Sequence, residues 1–206
     1  NNEEILELAA RSGCANLLIG FDSPNTSSLK EVGKGINLTS ALEFEEYVCK
    51  TVEKCHKYGI SVTGVFIFGF DHDCKDVFNR TVNLVRKARI DANRFEILTP
   101  VPGTLLYDEM QPRIFDHNLA HYDFSHAVFN HGNITPEELE RGMLEALIDT
   151  SSLPKSELRA ARTFWDVARG AGISGLKRAV YGTGVSYLQN DQLATGAAKR
   201  LKQYQK

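Results

Sequence analysis

Apolar residues recur at helical spacing over residues 2–12, where Ile5, Leu6, Leu8 and Ala9 share a face and Gly13 follows as a helix stop. Residues 15–21 are then a short apolar run of a length suited to a buried strand. Asp22-Ser23-Pro24-Asn25-Thr26 supplies turn and N-cap chemistry for a short helix over 26–32. Residues 40–58 carry the clearest amphipathic pattern. Glu43, Glu45 and Glu46 sit at the positive end of the helix dipole, Val48, Val52 and Cys55 form the stripe, and Gly59 closes it. Residues 60–68 are almost continuously apolar and rich in β-branched and aromatic side chains, which predicts a strand buried on both faces. A turn at 69–73 leads to a helix over 75–89, a third strand over 94–99, a rigid Pro100-Val101-Pro102-Gly103 turn and a short helix through Leu105, Leu106 and Tyr107.

Helix and strand therefore alternate, which implies parallel strands joined by right-handed crossovers. Strand starts some 30–45 residues apart fit successive βα units of a barrel or a doubly wound sheet. Three strands cannot close a barrel that needs about eight, so the first strand is expected to want a neighbour. Residues 111–134 read as irregular and aromatic-rich. Thr135-Pro136-Glu137-Glu138 then forms a capping box for a helix to about residue 149. A further helix is expected over 154–169. Beyond it, glycines interrupt the pattern, and Lys177, Arg178, Lys199, Arg200 and Lys202 make the tail basic.

Composition narrows the classes. The chain has 206 residues, 42% hydrophobic and 24% charged, with a formal net charge of −2. That excludes disorder as the dominant state and gives no basic excess for bulk nucleic-acid or membrane-surface binding. No apolar run approaches the roughly 20 residues of a membrane span. With no secretory signal pattern, Cys14, Cys49, Cys55 and Cys74 are expected as reduced thiols of a cytoplasmic protein. The start at Asn1 and only two methionines suggest a piece of something longer.

Ligands of parallel α/β sheets bind at the carboxyl ends of strands. Three loops lie there: Gly20-Phe21-Asp22-Ser23, Gly69-Phe70-Asp71-His72-Asp73, and Thr99-Pro100-Val101-Pro102-Gly103-Thr104. Each joins a glycine or rigid proline to polar groups, so backbone can approach a ligand and carboxylates can accept from hydroxyls. Three such loops in register point to one composite site.

At these residues the chain resembles the C-terminal half of a radical S-adenosylmethionine (SAM) enzyme core. Leu18 to Ser23, with Leu29-Lys30 and Gly33-Lys34-Gly35, is similar to the fourth strand of that core. Phe66 to Asp73 is similar to the fifth, and Phe95 to Tyr107, with its T-P-x-P-G-T pattern, to the sixth. The last motif points to the branch that often carries a cobalamin-binding domain. Residues near Tyr122, His126 and Thr135 resemble the region past the barrel in uncharacterised members and some hopanoid C-methylases.

The resemblance implies an α/β fold: the C-terminal half of a partial (β/α)6 TIM-like barrel over 1–110, a post-barrel segment and helix over 111–150, and a helical C-terminal extension over 151–206. It implies SAM contacts from Asp22, Ser23, Gly69, Phe70, Asp73, Thr99 and Pro100, and substrate contacts from Tyr122 and His126. Asp22 and Asp73 stand where the family has glutamates, one methylene longer. The family also uses a [4Fe–4S] cluster held by CxxxCxxC, and some members use cobalamin. That motif is absent here, and cluster chemistry needs closely spaced thiolates. The chain alone is therefore expected to bind no cluster and to catalyse nothing, requiring the missing half of the barrel or a partner subunit. A small-molecule or lipid-like substrate is implied. Two other readings compete: a non-catalytic α/β binding or partner module derived from the barrel, and a metal-dependent hydrolase built on His117, His121, His126 and His131, with His117 and His121 on one helical face.

Overall fold

The computed structural model describes residues 3–31, 40–151, 161, 164–165, 180, 184, 192 and 194–204. Its elements run α1 (Glu3–Arg11), β1 (Asn16–Asp22), α2 (Thr26–Glu31), α3 (Ala41–Lys57), β2 (Ser61–Phe68), α4 (Val77–Lys87), β3 (Ala92–Ile97), α5 (Leu105–Met110) and α6 (Pro136–Ser151). Residues 194–201 are also helical. The expected Gly33-Lys34-Gly35 segment and the helix over 154–169 fall largely or wholly outside the described residues.

The three strands form one parallel sheet in the order β1-β2-β3, so strands adjacent in sequence are adjacent in space. Alternate residues face opposite sides. Toward α3 and α4, the rings of Phe21, Phe66, Phe95 and Phe68 make a continuous contact series. Phe21 stacks on Phe66 at 5.7 Å, and Phe68 meets Phe78 of α4 at 4.8 Å. The helix α6 packs on α4 and along β3, so closely that a Cβ at Gly142 would lie 2.5 Å from the Phe78 ring. Phe44, Val48, Val52 and Cys55 bury the stripe of α3, as its spacing predicts. Ser40 caps that helix by accepting from the Glu43 N–H at 3.2 Å.

The other side of the sheet is less covered. Leu18 is 63% exposed and Gly20 is exposed, while Thr63 and Val65 in the central strand are buried. Burial on both faces was expected of the central strand, and it is the most buried of the three.

One boundary shifts for a tertiary reason. The third strand starts at Ala92 rather than near 94. Asp91 just before it is buried and accepts from the Val62 N–H at 2.7 Å and pairs with His56 at 2.8 Å, which anchors the strand's polar entry. The capping box forms as expected: Thr135 Oγ1 accepts from the Glu138 N–H, and Glu138 Oε2 accepts from the Thr135 N–H. Among the described residues, no helix is long and apolar enough to cross a membrane.

Candidate functional site

The three loops lie side by side at the carboxyl ends of adjacent parallel strands, and side chains stitch the first two together. After β1, a register shift between Gly20 and Asp22 marks an irregularity, and Asp22 adopts φ +62°, a left-handed conformation that costs a non-glycine residue energy. Ser23 is fully buried, its hydroxyl accepting from the Asn25 N–H at 3.0 Å. Asn25 in turn donates to the His72 carbonyl at 2.8 Å, and Arg80 donates to the Pro24 carbonyl at 3.0 Å. First and second loops are thus held in a fixed relation.

After β2, Gly69 takes φ +100°, a turn that only glycine makes without strain. Asp73 is fully buried beneath it. One of its oxygens accepts from the Gly69 and Phe70 N–H groups at 3.0 and 3.1 Å, and the other is 3.4 Å from the Ser28 hydroxyl. Burial pushes the carboxyl up to about 6, against the lowering effect of those hydrogen bonds. Asp73 therefore holds the loop from inside, and its carboxylate does not face outward toward a ligand. Phe70 is buried as well.

After β3, the Leu98 N–H donates to the Phe68 carbonyl, extending the sheet by one bond. Thr99 and Pro100 are buried, with the Thr99 hydroxyl donating to the Ile97 carbonyl at 3.0 Å. Val101, Pro102 and Gly103 form an exposed turn, and Thr104 caps α5 by accepting from the Tyr107 N–H.

Three residues that the sequence did not single out for this site fasten it. Arg113 pairs bidentately with Asp71 at 2.9 and 2.7 Å and lies over the Phe129 ring. The guanidinium holds the Asp71 carboxyl below its ordinary range. His131 accepts at Nδ1 from the Asn133 and Ile134 N–H groups, so its proton sits on Nε2, which donates to the Phe70 carbonyl at 2.8 Å. Asn133 donates to the Asp73 carbonyl at 3.1 Å. The only sequence signal for these contacts is the run of turn residues just ahead of the Thr135 cap.

Tyr122 and His126 flank a second crossing. The Phe124 carbonyl accepts from the Ile97 N–H at 2.7 Å, which brings this segment to the carboxyl end of β3. Tyr122 is half-buried, donates to the Asp116 carbonyl and faces Tyr107 at 6.4 Å; burial pushes its phenol up. His126 Nδ1 lies 2.9 Å from Asp123, and its ring stacks on His121 at 4.9 Å. His121 Nδ1 lies 2.6 Å from Asp116. Beside this segment opens a cleft of about 450 Å³ lined by Leu18, Arg94, Glu96, Asp123, Phe124 and Leu147 among others.

The expected pairing of His117 and His121 on a helical face does not form. Only residues 119–121 make a 3-10 turn, and His117 lies outside it. Among the described residues, no group of three or more His, Cys, Asp or Glu side chains could hold a metal ion. No three cysteines come together among the described residues: Cys49 and Cys55 share α3, Cys14 lies near Cys55, and burial pushes Cys55 up to about 11, away from thiolate. These residues do not fit a [4Fe–4S] cluster. At the end of β1, Gly20 is exposed and Asp22 half-buried.

No family model matches the chain. It is 38% identical over 136 residues, 66% of its length, to a bacteriochlorophyllide d C-12(1)-methyltransferase of Chlorobaculum tepidum, covering 28% of that protein. It is 34% identical over 98 residues, 48% of its length, to a bacteriochlorophyllide d C-8(2)-methyltransferase of the same organism, covering 21% of it. A hopanoid C-2 methylase of Rhodopseudomonas palustris is 25% identical over 108 residues, which is 52% of this chain and 19% of that protein. The chain spans less than a third of the length of the curated relatives it matches. These relatives are methyltransferases.

Proposed function

We propose that this chain forms the SAM-facing C-terminal half of a partial (β/α)6 barrel in a radical SAM methyltransferase. The observation that carries the reading is the arrangement of the three motif loops, which end three adjacent parallel strands in chain order, the first two tied together by Asn25 and Ser28. The methyltransferase relatives support it independently.

In this reading Asp22 accepts from ligand hydroxyls, and the Gly20 backbone lets the ligand approach closely. Gly69, Phe70 and Thr99-Pro100 form the wall, while Ser23 and Asp73 hold the loops in shape. When bound, SAM supplies the methyl group or the 5′-deoxyadenosyl radical. The iron–sulfur cluster, and a cobalamin if one takes part, are held by residues other than the cysteines described above. The substrate is a large macrocyclic or polycyclic carbon skeleton, with the chlorin class favoured by the relative at 38% identity.

Equilibrium binding of SAM to the intact protein tests this. Asp22→Ala removes a charged acceptor and is expected to weaken binding about 10–100-fold, as loss of a hydrogen bond to a charged group does. Unchanged SAM affinity in that variant, or no SAM binding by the wild type, would count against the reading. The second of these outcomes would favour a non-catalytic α/β binding module.

A further inference from the structure

A cleft on the less covered side of the sheet has no part in the proposed SAM site. It measures about 450 Å³, a size that takes a small molecule. Alternation puts Leu18 of β1 and Arg94 and Glu96 of β3 on that side, and all three line the cleft. Leu18 is 63% exposed, and Phe124, also in the lining, is 40% exposed. Single exposed apolar side chains are ordinary, but two in one concave lining, with buried Leu147 in it too, make an apolar wall.

That wall is held from several directions. Phe124 sits at φ +64°, a conformation that costs a non-glycine residue energy, and its carbonyl accepts from the Ile97 N–H at 2.7 Å. Asp123 Oδ1 accepts from the Ser125 N–H, the Ser125 hydroxyl and the His126 N–H. From the C-terminal helix, 75 residues downstream, Arg200 donates to the Ser125 hydroxyl at 2.8 Å and to the Ser125 carbonyl at 3.2 Å. Among the described residues, Arg94 is the one cation in the lining. Its Nε lies 2.6 Å from Glu96 Oε1, which steadies the guanidinium, and neither of its Nη groups donates to a described residue. The two carboxylates of the lining are thus engaged within the protein, Glu96 with Arg94 and Asp123 with its own loop, whereas the Nη edge of Arg94 is left to solvent or a ligand.

We infer that this cleft binds an apolar molecule bearing a carboxylate, with the Nη groups of Arg94 as its anchor. A guanidinium presents paired N–H donors that match the two oxygens of a carboxylate, while Leu18, Phe124 and Leu147 cover the apolar body. Glu96 acts through Arg94, as its positioning residue. That the bound acid is the methyl acceptor rests on the methyltransferase reading; the site itself rests on the cleft.

The test uses the intact protein and three dyes that share one set of fused rings: pyrenebutyrate, uncharged pyrenebutanol and the corresponding ammonium, each titrated and followed by pyrene emission. The wild type is expected to bind the carboxylate about 10-fold more tightly than the alcohol, the low end for a hydrogen-bonded charge pair because the Arg94 side chain is 55% exposed. Arg94→Gln removes that preference while binding the alcohol as the wild type does, which shows that the cleft is intact. Leu18→Ser weakens both dyes together. The inference falls if the wild type binds the alcohol or the ammonium as tightly as the carboxylate, or if Arg94→Gln keeps the preference. It falls also if Leu18→Ser leaves both affinities unchanged, or if SAM displaces the carboxylate dye, which would make the cleft part of the SAM pocket. SAM affinity measured on the same samples separates the two claims. No SAM binding by the wild type overturns the methyltransferase reading and leaves the acid site standing, whereas SAM binding without an Arg94-dependent preference overturns only the acid site.

Discussion

The two faces of the sheet are written in alternate residues of the same three strands, and they have opposite chemistry. Phe21, Phe66, Phe68 and Phe95 lock one face against α3 and α4. On the other, β1 shows exposed Leu18 and Gly20, and β3 shows an Arg94–Glu96 ion pair at 2.6 Å. Such a division places stability in the aromatic layer and leaves the opposite face chemically available. It also means that two substitutions one position apart within a strand should have very different consequences.

The sharpest test is Phe66→Ala, which empties the centre of the ring series and is expected to cost about 3–5 kcal/mol in denaturant unfolding. A cost below about 1 kcal/mol would mean the aromatic layer is not where the fold's stability sits. Next is Asp73→Ala, which orphans the buried Gly69 and Phe70 N–H groups, at about 1–3 kcal/mol for each. Asp73→Asn keeps an acceptor for both and should cost far less. It also changes the pH profile in a definite direction. The folded carboxyl is raised to about 6 from its ordinary 3.8, so the folded state binds the proton more tightly. Its contribution is therefore full below the unfolded value and is lost as pH rises through about 6. Asp73→Asn should flatten that fall between about pH 4 and 6, seen as a smaller change in unfolding midpoint. Gly142→Ala forces a Cβ against Phe78 and is expected to cost about 1–3 kcal/mol, partly offset by better helix propensity. Leu18→Ser on the uncovered face should stay within about 0.5 kcal/mol; a larger loss would show that something covers that face in solution.

Much of this was readable along the chain, because the governing forces are local. Ser40 and Thr135 announce their helices through hydrogen bonds spanning three residues. The apolar run before Gly69 and the alternating elements define the strands and their parallel sense. What could not be read is where polar groups in the loops turn. Asp73 resembles a rim carboxylate in sequence but turns inward, because Ser28, 45 positions away, and the Gly69 turn supply partners. Arg113 and His131 reach the second loop from 42 and 61 residues downstream, and no periodicity encodes that. The start of β3 at Ala92 is hidden in the sequence for the same reason. Asp91 looks like a loop residue until His56 and the Val62 N–H are found around it.

The order of the strands carries a consequence for how the chain comes to be folded. Since β1, β2 and β3 are neighbours in the order in which they are synthesised, each new strand docks on an edge already present, and none must be inserted between two others. Each pairing joins residues some 30–45 positions apart, Asn16 with Ser61 and Thr63 with Ala92, and loop-closure cost grows only slowly with such lengths. The sheet can thus grow one unit at a time from one side, with the α3 and α4 aromatic layer sealing each addition before the next begins.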